Sequence, residues 1–117
     1  MIIYRIEDER GFGPYRCYTN WKCDENDHND LNHPDPWRDN IFDKIYDIKE
    51  DRHEFYCGFD KLYMLYNWFS DQELKNLKNM GFNIVEIEID KKWVIFGKSK
   101  RQIMFKYSEI ITKEIKK

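Results

Sequence analysis

The six cysteine and histidine residues of this chain all lie in one stretch, between Cys17 and Cys57. Their spacing is Cys-x5-Cys-x4-His-x4-His, followed further on by His-x3-Cys. Zn²⁺ takes about four thiolate or imidazole ligands in a tetrahedron, and thiolates suit it best. The stretch has no closely spaced cysteine pair of the zinc-finger kind, but its ligand chemistry is adequate for one zinc ion.

The predicted zinc ligands are Cys17, Cys23, His28 and Cys57. We choose His28 because it is the histidine nearest to the first two cysteines. His33 and His53 remain alternatives for the fourth position. Four protein ligands would leave no open coordination position, so the predicted site is structural and not catalytic. The competing interpretation is that the cysteines are small buried apolar residues and the histidines are solvated.

Zinc would also explain a long irregular segment. Residues 16–39 are polar, with Asn, Asp and Pro throughout, and they lack a hydrophobic face of their own. Such a loop is unusual inside a compact domain unless it is functional or is held in place. Metal coordination would hold it, because binding replaces the apolar burial that the segment lacks.

Catalytic motifs are missing from the sequence. There is no Walker loop, no G-x-S-x-G element and no H-E-x-x-H helix. Gly11 and Gly13 lack the third glycine of a nucleotide-binding loop, and Pro14 has no amide to offer a phosphate. A nucleophilic pair of Cys57 and His53 stays open, although nothing favours it over metal coordination. We therefore expect a protein that is not an enzyme.

One pair of short motifs resembles an enzyme family. Arg5 on an early strand and Glu86-x-Glu88 on a later strand resemble the Arg … Glu-x-Glu arrangement of ADP-ribosyltransferases. The resemblance implies that Arg5 would position NAD and that Glu88 would stabilise the ribosyl cation. The serine–threonine element of that family is missing here. The alternative is an alternating acidic strand face that is simply solvated.

Charge divides the chain into unlike halves. Residues 1–60 contain 15 acidic and 8 basic residues, whereas residues 61–117 contain 7 and 12, and the net charge is −2. This balance argues against a global electrostatic DNA binder. Two local surfaces are candidates for binding a protein partner. One is acidic (Asp24, Asp27 and Asp30) and the other is basic (Lys98, Lys100 and Arg101). The basic stretch could alternatively contact nucleic acid directly.

The elements that would position these residues form an α+β domain spanning residues 1–117. We predict a mainly antiparallel sheet, two or three helices packed on one face, and a long N-terminal loop region held by the metal. The first strand is Ile2–Ile6, a helix opens at Asp35-Pro36, and a second helix is capped by Asp60. A third helix starts with the Ser70–Glu73 capping box and ends at Gly81. Residues 83–107 are predicted to form a C-terminal meander in which Trp93–Phe96 is the central strand.

The sequence predicts neither a signal peptide nor a membrane span. A charged residue is reached at Arg5, too early for the apolar stretch of a signal peptide, and no run is long enough to span a membrane. An odd number of cysteines, three, does not suggest a disulfide framework. We expect no membrane association and a cytoplasmic location in the cell that makes the protein.

A set of short motifs points to an origin. They are Tyr4-Arg5-Ile6-Glu7, Gly13-Pro14-Tyr15-Arg16, His33-Pro34-x-Pro36, Gly58-Phe59-Asp60-x-Leu62, Trp68-Phe69, Gly81-Phe82 and Gln102-x-x-Phe105. Together they resemble a group of small phage and prophage proteins. That group includes anti-CRISPR proteins, and the resemblance implies a type II-A inhibitor that binds Cas9, with nucleic acid involved only indirectly. It also implies a structural role for His33, which belongs to the wider pattern, and this leaves His28 as the fourth zinc ligand.

Overall fold

Two antiparallel sheets and three helices make up the described part of the chain. The computed structural model describes residues 1–13, 40–98 and 103–116. The strands are β1 (Ile2–Glu7), β2 (Phe55–Gly58), β3 (Asn83–Ile89), β4 (Val94–Phe96), β5 (Ile103–Lys106) and β6 (Ile110–Ile115). The helices are α1 (Ile41–Asp47), α2 (Leu62–Trp68) and α3 (Asp71–Asn79). The predicted α+β class with antiparallel pairing is therefore confirmed.

The first sheet has the strand order β1-β3-β6. β1 pairs with β3 from Ile2 opposite Glu88 to Glu7 opposite Asn83. Because side chains alternate along a strand, Ile3 and Arg5 share one face with the inward side chains of β3. Those inward side chains are the ones predicted from the alternating sequence: Val85, Ile87 and Ile89, all buried.

The second sheet has the order β2-β5-β4 and packs against the inner face of the first. One apolar cluster joins the two sheets: Ile3, Val85, Ile87 and Ile89 from the first sheet, and Val94, Ile103 and Phe105 from the second. Strands of three to seven residues cannot bury enough surface alone, so this shared cluster is what stabilises both sheets.

The helices cover the two outer faces. Leu65 of α2 and Leu77 of α3 pack on Ile6 of the first sheet. Ile41 and Ile45 of α1 pack on the second sheet. The layers thus run α2/α3, first sheet, second sheet, α1. The prediction that all helices pack on one face of one sheet is wrong, because the strands divide into two sheets and each leaves an apolar face to be covered.

Side-chain capping was predicted correctly at α3 but not at α2. Ser70 and Glu73 form the predicted capping box, and Gly81, at φ +93°, follows the end of α3 as expected. α2 is preceded by Lys61 and not capped by Asp60. α1 begins at Ile41, later than predicted, because Asn40 at φ 61° is left-handed and cannot continue a helix toward the N-terminus.

The predicted C-terminal meander is wrong. β3 lies in the centre of the first sheet, between β1 and β6, so both of its edges are occupied. A short 3-10 turn at Lys91–Trp93 then carries the chain to the second sheet. There β4 is an edge strand and not a central one. It is apolar on both faces because Val94 packs between the sheets while Ile95 packs toward α1.

The predicted polar loop 16–39 and the Asp35-Pro36 helix start lie outside the described residues. The described chain leaves for this segment at Gly13 and returns at Asn40, directly before α1. No helix in the described ranges is long and apolar enough to cross a membrane.

Candidate functional site

The structure places one of the four predicted zinc ligands. Cys57 lies on β2, is partly buried, and packs beside the cluster that contains Ile41 and Ile45 of α1. Cys17, Cys23 and His28 lie outside the described residues, as does His33. Across residues 1–13, 40–98 and 103–116, no group of three or more His, Cys, Asp or Glu side chains is arranged to hold a metal. The described residues thus give no support to the predicted metal-held loop.

His53, the alternative ligand next to Cys57, is already engaged by a carboxylate. Its side chain is 78% exposed, and Nδ1 lies 2.9 Å from Oδ1 of Asp51. Asp51 also accepts a hydrogen bond from the His53 amide, and these bonds hold the pKa of Asp51 below its usual value. This local pairing occupies one imidazole nitrogen and caps the 3-10 turn that leads into β2.

Of the six residues in the two predicted partner surfaces, the structure describes only Lys98. Lys98 is exposed at the end of the turn that follows β4, whereas Lys100 and Arg101 lie outside the described residues. The acidic residues Asp24, Asp27 and Asp30 also lie outside them. Trp93 and Phe96, the aromatics of the basic stretch, pack against the cluster between the sheets. That packing leaves both rings only partly exposed.

The structure separates the residues of the predicted ADP-ribosyltransferase arrangement. Arg5 lies opposite Val85, and Tyr4 lies opposite Glu86. Since side chains alternate across a strand, Arg5 points between the two sheets while Glu86 and Glu88 point to the outer face. The proposed NAD-positioning arginine and the two carboxylates therefore lie on opposite sides of the first sheet.

A buried ionic cluster, which the sequence analysis did not identify, lies between the sheets. Glu7 is 1% exposed and accepts a hydrogen bond from Nε of Arg5 at 3.1 Å. Its other oxygen accepts from Nζ of Lys113, and the hydroxyl of Tyr107 lies 3.2 Å from both carboxylate oxygens. Lys113 also donates to the Tyr107 hydroxyl at 2.8 Å. One carboxylate thus connects β1, β6 and the turn after β5.

The charges in this cluster compensate one another. Burial disfavours the charged form of Lys113, but its bonds to Glu7 and Tyr107 outweigh burial and raise the pKa of the amine. The guanidinium of Arg5 lies 5.0 Å from the ring centroid of Tyr56 and 6.0 Å from that of Tyr107. A cation over an aromatic face is stabilised by the ring quadrupole, so the two tyrosines support the arginine while Glu7 neutralises it.

Arg5 also binds the backbone on both sides of the cluster. Nη1 donates to the carbonyl of Cys57 at 2.9 Å, and Nη2 reaches the carbonyl of Gly11 at 3.4 Å. A Cβ on Gly13 would lie 3.2 Å from Nη2. The arginine therefore anchors β2 and the end of the first described segment, from which residues 14–39 depart. We call Arg5, Glu7, Tyr107 and Lys113 the buried clamp.

The buried clamp had one detectable signal in the sequence. Arg5 shares its strand face with Ile3 in the alternation of β1, and this shared face is the one signal that could have placed the arginine in the core. Glu7 follows on the same face. Their partners Tyr107 and Lys113 are about a hundred residues away in sequence, and no spacing rule reaches that far.

Two motifs of the phage-protein resemblance, Tyr4-Arg5-Ile6-Glu7 and Gly58-Phe59-Asp60-x-Leu62, meet at the crossing of β1 and β2. The amide of Tyr4 donates to the carbonyl of Phe59 at 2.7 Å, and the amide of Phe59 donates to the carbonyl of Tyr4 at 2.8 Å. Gly58 lies so close to Ile3 that an added Cβ would stand 2.6 Å from its Cγ2. These motif residues thus join the two sheets, and Arg5 and Glu7 extend the same junction into the buried clamp.

Together, the fold and the buried clamp define a small α+β domain with two packed antiparallel sheets. A family model described as Bacteriophage T4 Y00F protein matches residues 1–116. The chain therefore belongs to the Bacteriophage T4 Y00F protein family, which makes it a small phage protein. No curated protein matches it, and no solved structure matches it.

Proposed function

We propose that this phage protein inhibits a host CRISPR-Cas effector by binding it stoichiometrically, without modifying it chemically. The proposed target is Cas9, the inhibited step is DNA binding or cleavage, and the place of action is the host cytoplasm. Membership of a phage protein family is the observation that carries the proposal. Interference with a bacterial defence is a role in which a small protein acts by contact alone.

The buried clamp supports a binding role over a catalytic one. A catalytic carboxylate must reach its substrate, yet Glu7 is 1% exposed and is bound by Arg5, Tyr107 and Lys113. Its contacts hold strands together instead. Through Arg5, the buried clamp also holds Gly11 and lies against Gly13, the last described residue before residues 14–39 in the sequence.

The acidic part of residues 14–39 is the proposed contact with Cas9. Asp24, Asp27 and Asp30 fall within seven positions of one another in the acid-rich half of the chain. Such charges would favour a basic protein surface and accelerate the encounter with it. The basic group of Lys98, Lys100 and Arg101 is the alternative contact on the same partner.

A Cas9 cleavage assay tests the proposal. Protein is added to the Cas9–guide complex before the target DNA, over a series of molar ratios. We expect inhibition that saturates near one protein per Cas9, because each copy blocks one effector. Complete inhibition at trace amounts would contradict a stoichiometric mechanism, and no effect at large excess would contradict Cas9 as the target.

Neutralising Asp24, Asp27 and Asp30 to asparagine tests the contact. We expect the affinity for Cas9 to fall at least about 10-fold relative to the wild type, because three charges are lost from the proposed surface. The matched control neutralises the exposed carboxylates Glu9, Asp47 and Glu109, which changes the net charge equally, and it should retain full inhibition. Equal losses in both triple variants would mean that only net charge matters. A loss confined to a Lys98, Lys100 and Arg101 variant would assign the contact to the basic group.

We also propose that zinc holds residues 14–39 through Cys17, Cys23, His28 and Cys57. Support comes from Cys57, which packs in the same cluster as α1, the first described helix after this segment in the sequence. When bound, zinc would supply cross-linking and no reaction step.

Elemental analysis of protein purified without added metal should find about one zinc per chain. Replacing Cys57 by serine or His28 by alanine should remove it, whereas His53→Ala should not, because His28 is the predicted fourth ligand. A metal-free protein whose melting temperature is unchanged by chelator would refute the site. Zinc loss in His53→Ala alone would reassign the fourth ligand.

A further inference from the structure

β6 presents a long strand edge that none of the described residues pairs with. It is the last strand in the order β1-β3-β6, and its other side pairs with β3, with one register shift that leaves Ile111 as the extra residue. Two isoleucines on it are exposed, Ile111 at 63% and Ile115 at 58%. An edge of this kind is a template for pairing with a further strand.

The register shows which backbone groups face the outer edge. The amide of Lys116 donates to the carbonyl of Ile84 at 2.8 Å, so the backbone of Lys116 is directed toward β3. Hydrogen-bonded and non-bonded pairs alternate along an antiparallel ladder. Glu114 and Thr112 therefore also face β3. The amides and carbonyls of Lys113 and Ile115, which lie between them, face outward.

We propose that a second copy of this chain pairs with this edge, antiparallel and centred on Lys113. The inference does not depend on the proposed function. A two-fold axis perpendicular to the sheet keeps each residue on its own face, so opposed residues must have the same parity in the sequence. Centring on Lys113 meets this condition and overlaps the whole of β6. It places Ile111 opposite Ile115 of the second copy, twice per dimer.

Charge favours the same register. Lysine on an edge strand normally opposes pairing, and Lys113 of one copy would lie opposite Lys113 of the other. Here each amine is bound by the buried Glu7 and by Tyr107 of its own copy, so its charge is compensated before the strands meet. The neighbouring position sets Thr112 opposite Glu114 of the second copy, a pair without repulsion.

Sedimentation over concentrations from about 1 µM to about 1 mM, the range of transient interfaces, tests the dimer. We expect the wild-type chain to shift from monomer to dimer, and Ile115→Lys to weaken the dimer at least about 10-fold because it places a charge in the apolar pair. Tyr46→Lys is the control, since Tyr46 is 81% exposed on α1 and far from β6. A wild-type monomer throughout, or an Ile115→Lys variant that dimerises normally, would overturn the proposal.

The register is tested at Thr112 with two opposite charges. Thr112→Lys would face Glu114 of the second copy and strengthen the dimer, whereas Thr112→Glu would face the same carboxylate and weaken it. Each change occurs twice by symmetry, so we expect shifts of about 2- to 30-fold in opposite directions. Weakening by both variants would indicate a register centred on Thr112, and reversed signs would indicate pairing with Lys116; either overturns the proposed register. Thermal melting checks that both variants fold.

Discussion

Replacing Glu7 by glutamine is expected to lower the free energy of unfolding by about 3–5 kcal/mol. The substitution keeps the shape of the side chain but removes the negative charge between Arg5 and Lys113. Two cations would then remain beside each other, one of them almost fully buried, and burying an unpaired charge is the most costly change to such a cluster. Because small domains are stable by only about 5–15 kcal/mol, the variant should be close to unfolding.

Urea unfolding at neutral pH measures this effect. The matched control is Glu9→Gln, the same chemical change at an exposed position two residues away, which should stay within about 0.5 kcal/mol of the wild type. A loss below about 1 kcal/mol for Glu7→Gln would mean that the buried clamp contributes no more than an exposed ion pair.

A double-mutant cycle keeps this prediction testable if Glu7→Gln fails to fold. Lys113→Met removes the half-exposed cation and should cost less, about 1–3 kcal/mol, because Arg5 still neutralises Glu7. Adding Lys113→Met to Glu7→Gln should recover part of the lost stability, since one of the two unpaired cations is then gone. Strict additivity would show that Glu7 and Lys113 act independently.

Replacing Gly58 by alanine is expected to destabilise the fold toward the upper end of about 1–3 kcal/mol. The added Cβ would stand 2.6 Å from Cγ2 of Ile3, 3.1 Å from Cε1 of Phe105 and 3.3 Å from the carbonyl oxygen of Tyr4. Ile3 and Phe105 are fully buried and the carbonyl belongs to the β1–β2 crossing, so none of them can withdraw freely. The sheets must separate locally to admit one methyl group.

Gly81→Ala separates this steric cause from a conformational one. Gly81 has no atom within 4 Å of an added Cβ but adopts φ +93°, so its substitution should cost about 1 kcal/mol through backbone strain alone. Combining Gly58→Ala with Ile3→Ala should be less harmful than the sum of the two, because the new methyl occupies space that the isoleucine left. If Gly58→Ala lowers the free energy of unfolding no more than Gly81→Ala does, the β1–β2 crossing can accommodate a methyl group and the steric prediction is wrong.

The elements that the sequence predicted well are those whose signals are local. The alternation of β3 fixed its inward face because a strand repeats every two residues, and the Ser70–Glu73 capping box lies within one helical turn. Helix starts were predicted less well. α1 begins at Ile41 because the left-handed Asn40 interrupts a helix, and nothing in the local composition signals that conformation.

The pairing of strands was not predictable in the same way. Trp93–Phe96 is apolar on both faces, which is typical of a central strand, but it is an edge strand packed between the first sheet and α1. β2 and β6 were not identified at all. β2 is only four residues long, and five of the six residues of β6 are exposed, so neither carries a strong pattern.

The sequence by itself determined an antiparallel α+β domain and the two faces of β1 and β3, because each of these follows from residues close together in the chain. Only the tertiary structure decided that the strands divide into two sheets and that Glu7 meets Lys113. Strand pairing depends on which apolar faces can be covered at once, and an ion pair across 106 positions depends on that pairing. The buried clamp is therefore a property of the fold, assembled from residues that carry no shared signal in the chain.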